Sequence, residues 1–134
     1  MSSKVLCFFS NKLKYFAEAV ETDGGERTPP KFGILTSPNF PRAYPNSHDS
    51  TQEIGVAEGK TIQMHFTDFN TETMYDYVQI MDGDGTSLSA KESGRWKGPH
   101  NIVSKTNRAT VKFHTDKNTP SRGWRLEWAE RKLD

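Results

Sequence analysis

The chain has 134 residues, 18 Lys plus Arg against 17 Asp plus Glu, and a net charge of +1. That is the length of one domain, with no global field to attract nucleic acid or an anionic membrane. Hydrophobic residues make up 33% and aromatic residues 11%, thin but sufficient for a single core, and no run approaches the ~18 apolar residues of a membrane span. The one cysteine, Cys7, cannot close an internal disulfide, which leaves packing, hydrogen bonds and metal to hold the fold.

In residues 5–20, Leu6, Phe9, Leu13, Phe16 and Val20 recur at three- and four-residue steps, the spacing of one helix face. An amphipathic helix is expected there, docking on its own domain or pairing with another chain. Val5–Phe9 only faintly resembles a signal-peptide core, because Asn11, Lys12 and Lys14 interrupt it and no small-x-small cleavage site follows. Met1-Ser-Ser-Lys lacks the glycine needed for myristoylation. The Gly24-Gly25 and Pro29-Pro30 pairs stop the helix, so residues 1–30 read as helix plus linker and 31–134 as the main domain.

Beyond Lys31 the period becomes two. Ile62, Met64 and Phe66 alternate with Gln63 and His65; Ala109, Val111 and Phe113 with Lys112; Trp124, Leu126 and Trp128 with Arg125 and Glu127. Each run reads as a strand with one buried face. Turn clusters fall at Ser37–Pro41, Ala57–Lys60, Asp82–Gly85 and Thr119–Gly123. Short strands at this spacing, with no long crossover helix between them, predict an all-β antiparallel sandwich of two sheets.

The runs Phe66–Ile80 and Phe113–Asp116 set carboxylates at strand ends. Carboxylates brought close repel one another unless a hard cation such as calcium neutralises them. Asp82-Gly-Asp-Gly85 opens like an EF-hand loop, but Ser87 and Ser93 stand where that loop needs Gly and Glu; it reads as a hairpin turn. His48, His65, His100 and His114 show no pair at metal-ligand spacing, and HExxH, GxSxG and Walker patterns are missing, so no enzyme is expected. Lys91, Arg95, Lys97, Lys105, Arg108 and Lys112 with Trp96 could form a stripe for a polyanionic glycan, though a solvated sheet face is the simpler account.

Several motifs in order carry a resemblance. Gly33–Pro45, Ile54, the Ile62-x-Met-x-Phe-x-x-Phe69 run, Tyr75-Asp-Tyr-Val78, Gly94–Gly98, Ser104-x-x-Asn107, Val111-x-Phe-x-x-Asp116 and Gly123-Trp124 resemble the CUB domain from about Gly33 to Trp128. The resemblance implies a two-sheet sandwich serving as an extracellular recognition module. It also implies calcium at one end of the sandwich, where ordered loops grip a basic side chain of a partner. Carried over residue by residue, the metal ligands become Glu72, Asp76 and Asp116, with loop oxygens from Asn118 and Thr119. Tyr44 matches an aromatic that braces the site, and Tyr44, Glu72 and Asp76 are the expected partner-binding group. Where the family usually has its last three cysteines, this chain has residues near Ser50, then Thr73 and Lys97.

Two functions follow. One is a calcium-stabilised protein-recognition module, secreted or extracellular, that takes a lysine or arginine of its partner. The other is a metal-independent assembly module, a homo- or hetero-oligomer packing through the N-terminal helix and sheet faces.

Overall fold

Alternation builds the sandwich. In the computed structural model, which describes residues 29–95 and 101–132, seven strands run β1 (Phe32–Thr36), β2 (Asp49–Gly55), β3 (Lys60–Asn70), β4 (Tyr77–Asp82), β5 (Ile102–Val103), β6 (Arg108–His114) and β7 (Gly123–Lys132). The helix expected over residues 5–20, and Trp96 and Lys97 of the basic stripe, lie outside the described residues. One sheet has the order β1-β7-β3-β5 and the other β2-β6-β4, with every pairing antiparallel. Among the described residues no helix is long and apolar enough to cross a membrane.

The three runs with a period of two form β3, β6 and β7, and their apolar phases meet between the sheets. Ile62, Met64, Phe66, Ala109, Val111, Phe113, Trp124 and Leu126 all belong to the buried core, with Trp128 packed against it. The spacing Phe66-x-x-Phe69 breaks strict alternation, and the backbone accommodates it. The register of β3 against β7 shifts between Phe66 and Asp68, and this bulge returns Phe69 to the buried face. Rings then meet edge to face across the interior: Phe66–Phe69 at 5.0 Å, Phe66–Trp124 at 6.0 Å, Trp124–Phe113 at 5.8 Å and Phe113–Tyr44 at 5.1 Å between centroids. Such pairs contribute about 0.5–1.5 kcal/mol each beyond burial, and they link the two sheets without sulfur bridges.

The Asp82–Gly85 segment is a turn as expected: Gly85 N donates to Asp82 O at 3.0 Å and Gly85 has φ +92°. Asp82 does more than open it. Its carboxylate is 2% exposed and accepts from Gly83 N (2.8 Å), Lys105 N (3.0 Å), Thr106 N (3.2 Å) and Thr106 Oγ1 (2.8 Å). It therefore fixes the loop entering β6. On the smaller sheet, His114 contacts both neighbouring strands, with Nδ1 2.7 Å from Asp49 Oδ1 and its ring 5.2 Å from that of Tyr77. Three of the described cations of the basic stripe are engaged locally. Arg108 Nη1 lies 3.9 Å from Glu53, Lys91 Nζ lies 4.8 Å over Tyr77, and Lys105 Nζ donates to Thr86 at 3.5 Å.

Candidate metal centre

The end of β3, the start of β4 and the end of β6 converge on one edge of the sandwich, and that edge collects the acids. Thr71, 3% exposed, closes the turn from Thr71 to Asp76 at its base. Its hydroxyl donates to Asp76 O at 3.0 Å and accepts from Gly94 N at 3.1 Å. Within the turn, Tyr75 N (3.3 Å) and Asp76 N (3.1 Å) both donate to Glu72 O. Glu72 and Asp76 are thereby set four residues apart on one tight loop.

Asp116 arrives from the other sheet, just past β6. The preceding Thr115 is 1% exposed; it accepts from His48 N at 2.8 Å and donates to Pro45 O at 2.9 Å. Ser47 N donates to Asp116 O at 2.7 Å, so the 45–48 loop is tied to the same strand end. Glu72 and Asp116 thus each follow a buried threonine whose hydroxyl bonds a backbone carbonyl. A Thr-acid pair closing a strand, seen at Thr71-Glu72 and Thr115-Asp116, is a signal present in the sequence that motif reading passed over.

Asp76 is the centre of the arrangement. It is 0% exposed; Oδ2 accepts from Tyr44 Oη at 2.7 Å and Oδ1 from Asp116 N at 2.8 Å. Tyr44 Oη in turn accepts from Glu72 N at 3.2 Å. One phenol therefore joins two of the acid-bearing positions. Burial, and then the hydrogen bond to Asp76, push the Tyr44 hydroxyl up to about 12, so it stays protonated and donates throughout the physiological range.

Glu72, Asp76 and Asp116 each present a carboxylate oxygen, and these oxygens lie within 4.8 Å of one another. Oxygens bound at about 2.3–2.6 Å to a common calcium are at most about 5 Å apart, so the spacing fits. Glu72 Oε1 is buried with no hydrogen-bond partner. An unsatisfied buried oxygen on an anion is costly, and a cation is the partner that suits it. Desolvation first, then the Asp116 and Asp76 charges, raise the Glu72 carboxyl above its ordinary value, while a Thr119 hydrogen bond opposes the shift.

A carboxyl raised on folding favours the folded state while protonated and opposes it as pH rises from the unfolded value through the raised one. A bound dication reverses that penalty by stabilising the ionised form. At a site that held calcium, proton and ion would compete, so the affinity measured by titration calorimetry would fall from pH 7 to pH 5, with proton release at the lower pH.

Of the residues expected at the site, Glu72, Asp76 and Asp116 come together, and Thr119 reaches Glu72 through its side chain. Asn118 joins through its backbone, its N donating to Asp116 Oδ1 at 3.0 Å. Tyr44 and Asp76, at 1% and 0% exposure, lie beneath the surface. Of the expected partner-binding group, Glu72 alone is placed to meet another molecule directly, because Tyr44 is covered by the ring of Phe113 and the loops it braces. Tyr44→Phe is expected to destabilise the fold by about 1–3 kcal/mol, read from urea unfolding, since Asp76 Oδ2 and Glu72 N lose a buried partner at once.

Comparison with known proteins agrees with this architecture. The family described as the CUB domain matches residues 24–128, and the chain belongs to that family. It is 35% identical to rat cubilin over 105 residues, covering 72% of this chain and 3% of that protein. It is 32% identical to human mannan-binding lectin serine protease 1 over 103 residues, covering 72% of this chain and 14% of that protein. The chain therefore spans a small part of these relatives. Among solved structures, the CUB1-EGF-CUB2 region of human MASP-1/3 matches with a TM-score of 0.71 at 27% identity, covering 77% of this chain and 42% of that one. The MASP-1 CUB2 domain bound to Ca2+ matches with a TM-score of 0.66 at 30% identity, covering 72% of this chain and 90% of that one.

Proposed function

We propose that this chain is a non-catalytic protein-recognition module whose loops are ordered by calcium at Glu72, Asp76 and Asp116. The observation that carries the reading is the convergence of three carboxylates with a buried, unpartnered Glu72 Oε1 among them. A CUB relative of known structure holds Ca2+, which supports the choice of ion. Three carboxylates and one dication leave one net negative charge at the edge. A partner's lysine or arginine would meet that charge at Glu72 and Asp116, which retain surface, while Tyr44 and Asp76 set the geometry from below. Placement outside the cell is part of the proposal, supported by a structural likeness to part of the full extracellular region of zebrafish Gpr126/Adgrg6.

A thermal melt tests this reading. A ligand that binds the folded chain alone raises its melting temperature by mass action, so millimolar calcium is expected to raise it and chelator to reverse the rise. No shift with calcium would remove the mechanism.

The assembly alternative keeps one observation of its own: Phe32 and Ile34 on edge strand β1 are 49% and 47% exposed. A mass measurement in solution that finds the full chain monomeric at all concentrations would dispose of it.

A further inference from the structure

We propose that residues 5–20 fold back as an amphipathic helix onto the outward face of the larger sheet, over Phe32 and Ile34 of β1. Leu35 of β1, like Leu126 and Trp128 of β7, packs toward the core, so the alternate positions face the other way. There Phe32 stands opposite Ala129, and Ile34 opposite Glu127. All seven described strands belong to the two sheets of the sandwich, so no described element lies over this face. Its centre is nevertheless shielded: Ala129 is 1% and Glu127 2% exposed, with Glu127 Oε2 2.7 Å from Arg125 Nη1. Glutamate is seldom fully buried unless it is paired, and this pairing suits a face that is covered. Beside it Phe32 and Ile34 are 49% and 47% exposed, an apolar step along the edge of the shielded strip.

The occupant is the chain's own N-terminal segment. Its stripe of Leu6, Phe9, Leu13, Phe16 and Val20 holds a short helix in water only when it is packed against something. The segment leads into β1, the strand that carries the step. A helix over residues 5–20 is about 24 Å long. Residues 21–31, extended, reach at most about 40 Å, while four strands make a face about 14 Å across, so the chain can turn back without tension. Charges agree as well: Glu18 and Glu21 lie at the linker end of the segment, and the exposed Arg131 and Lys132 close β7 beside the start of β1. Tethering gives the segment an effective concentration in the millimolar range, which a second copy does not match in dilute solution. Phe32 pairs toward the Lys132 end of β7, whereas Asn70, where β3 runs into the acidic turn, pairs with Gly123 at the other end. The inference therefore does not rest on the calcium reading.

The test is a double-mutant cycle on the full chain, with L13Q/F16Q on the segment and I34T on the sheet, read by urea unfolding. Glutamine keeps helix propensity and threonine keeps strand propensity, so the changes report the contact itself. L13Q/F16Q is expected to shift the equilibrium toward the unfolded state by at least about tenfold. The combined variant is expected to shift it by less than the product of the separate factors. In hydrogen exchange on the wild type, the amides of residues 5–20 are expected to be protected, and to lose protection in I34T. The mass in solution is expected to be that of a monomer. Separate factors that simply multiply, or wild-type amides of residues 5–20 that exchange as in an unfolded chain, would overturn the docking. A dimer that either variant dissociates would overturn it too, and would give the apolar step to a second copy.

Discussion

Replacing Asp76 by alanine is expected to destabilise the domain by about 3–5 kcal/mol, a large part of the ~5–15 kcal/mol that holds a domain of this size together. The side chain is 0% exposed, and its two oxygens serve donors from different parts of the chain, Tyr44 Oη and Asp116 N. Alanine strands both donors away from water, each at about 1–3 kcal/mol, and opens a cavity beneath the turn. Asp76→Asn separates structure from metal. Its carbonyl can still accept from Asp116 N, but its amide meets the Tyr44 hydroxyl donor to donor and leaves that buried O–H without an acceptor, so about 1–3 kcal/mol of stability is expected to be lost. One of the three converging charges is also gone, and calcium is expected to give little or no protection. Urea unfolding of both variants, with and without calcium, distinguishes these effects; an Asp76→Ala protein as stable as wild type would show that the buried carboxylate holds nothing.

A second large effect is expected at Gly123, where β7 begins. Its φ is +100°, and a Cβ built there falls on the Ser37 hydroxyl and within 3.4 Å of the Tyr44 ring. Ser37 Oγ accepts from Trp124 N at 3.0 Å, so the clash disturbs the bond that starts the strand. Strain of this kind costs about 1–3 kcal/mol on its own, and displacing a buried hydrogen-bonded hydroxyl adds a comparable amount. Gly123→Ala is therefore expected to lose about 2–4 kcal/mol in urea unfolding. Because Tyr44 adjoins the clash, calcium protection should weaken too, although no acid has been changed. Loss of stability with calcium protection intact would mean that Tyr44 does not transmit the disturbance to the carboxylates.

The layers of the fold were legible where a single period decides burial. Ile62–Phe66 and Ala109–Phe113 alternate in sequence and alternate in the sheets; Trp124–Trp128 alternates in sequence but not in burial, because Glu127 is buried at 2% exposure beside Arg125 while Trp128 is partly exposed. Phe69 was legible as part of a motif, yet the bulge that turns it inward depends on β7 and leaves no local mark. Asp82 could be read as a turn residue from the glycine after it. Its burial could not, since the donors Lys105 and Thr106 reach it only in the folded chain.

The candidate site shows the same division. Motif order assigned Glu72, Asp76 and Asp116, and the strands set their oxygens together. Sequence gave no means of ranking them by depth. Asp76 is sealed because Tyr44 and the Asp116 amide occupy its two oxygens, whereas Glu72 keeps a buried oxygen without a partner. Nor could it show that Asn118 contributes a backbone N–H to Asp116, a bond that depends on how the loop after β6 turns.

On the proposed function, carboxylates from both sheets hold one calcium ion. Titration calorimetry of calcium into the full chain tests it most directly, with Glu72→Gln and Asp116→Asn beside the wild type. One ion per chain is expected for the wild type, with affinity reduced at least tenfold in either variant, since each removes one of three converging anionic ligands. Wild-type affinity retained in both variants, or no heat of binding in the wild type at millimolar calcium, would contradict the account.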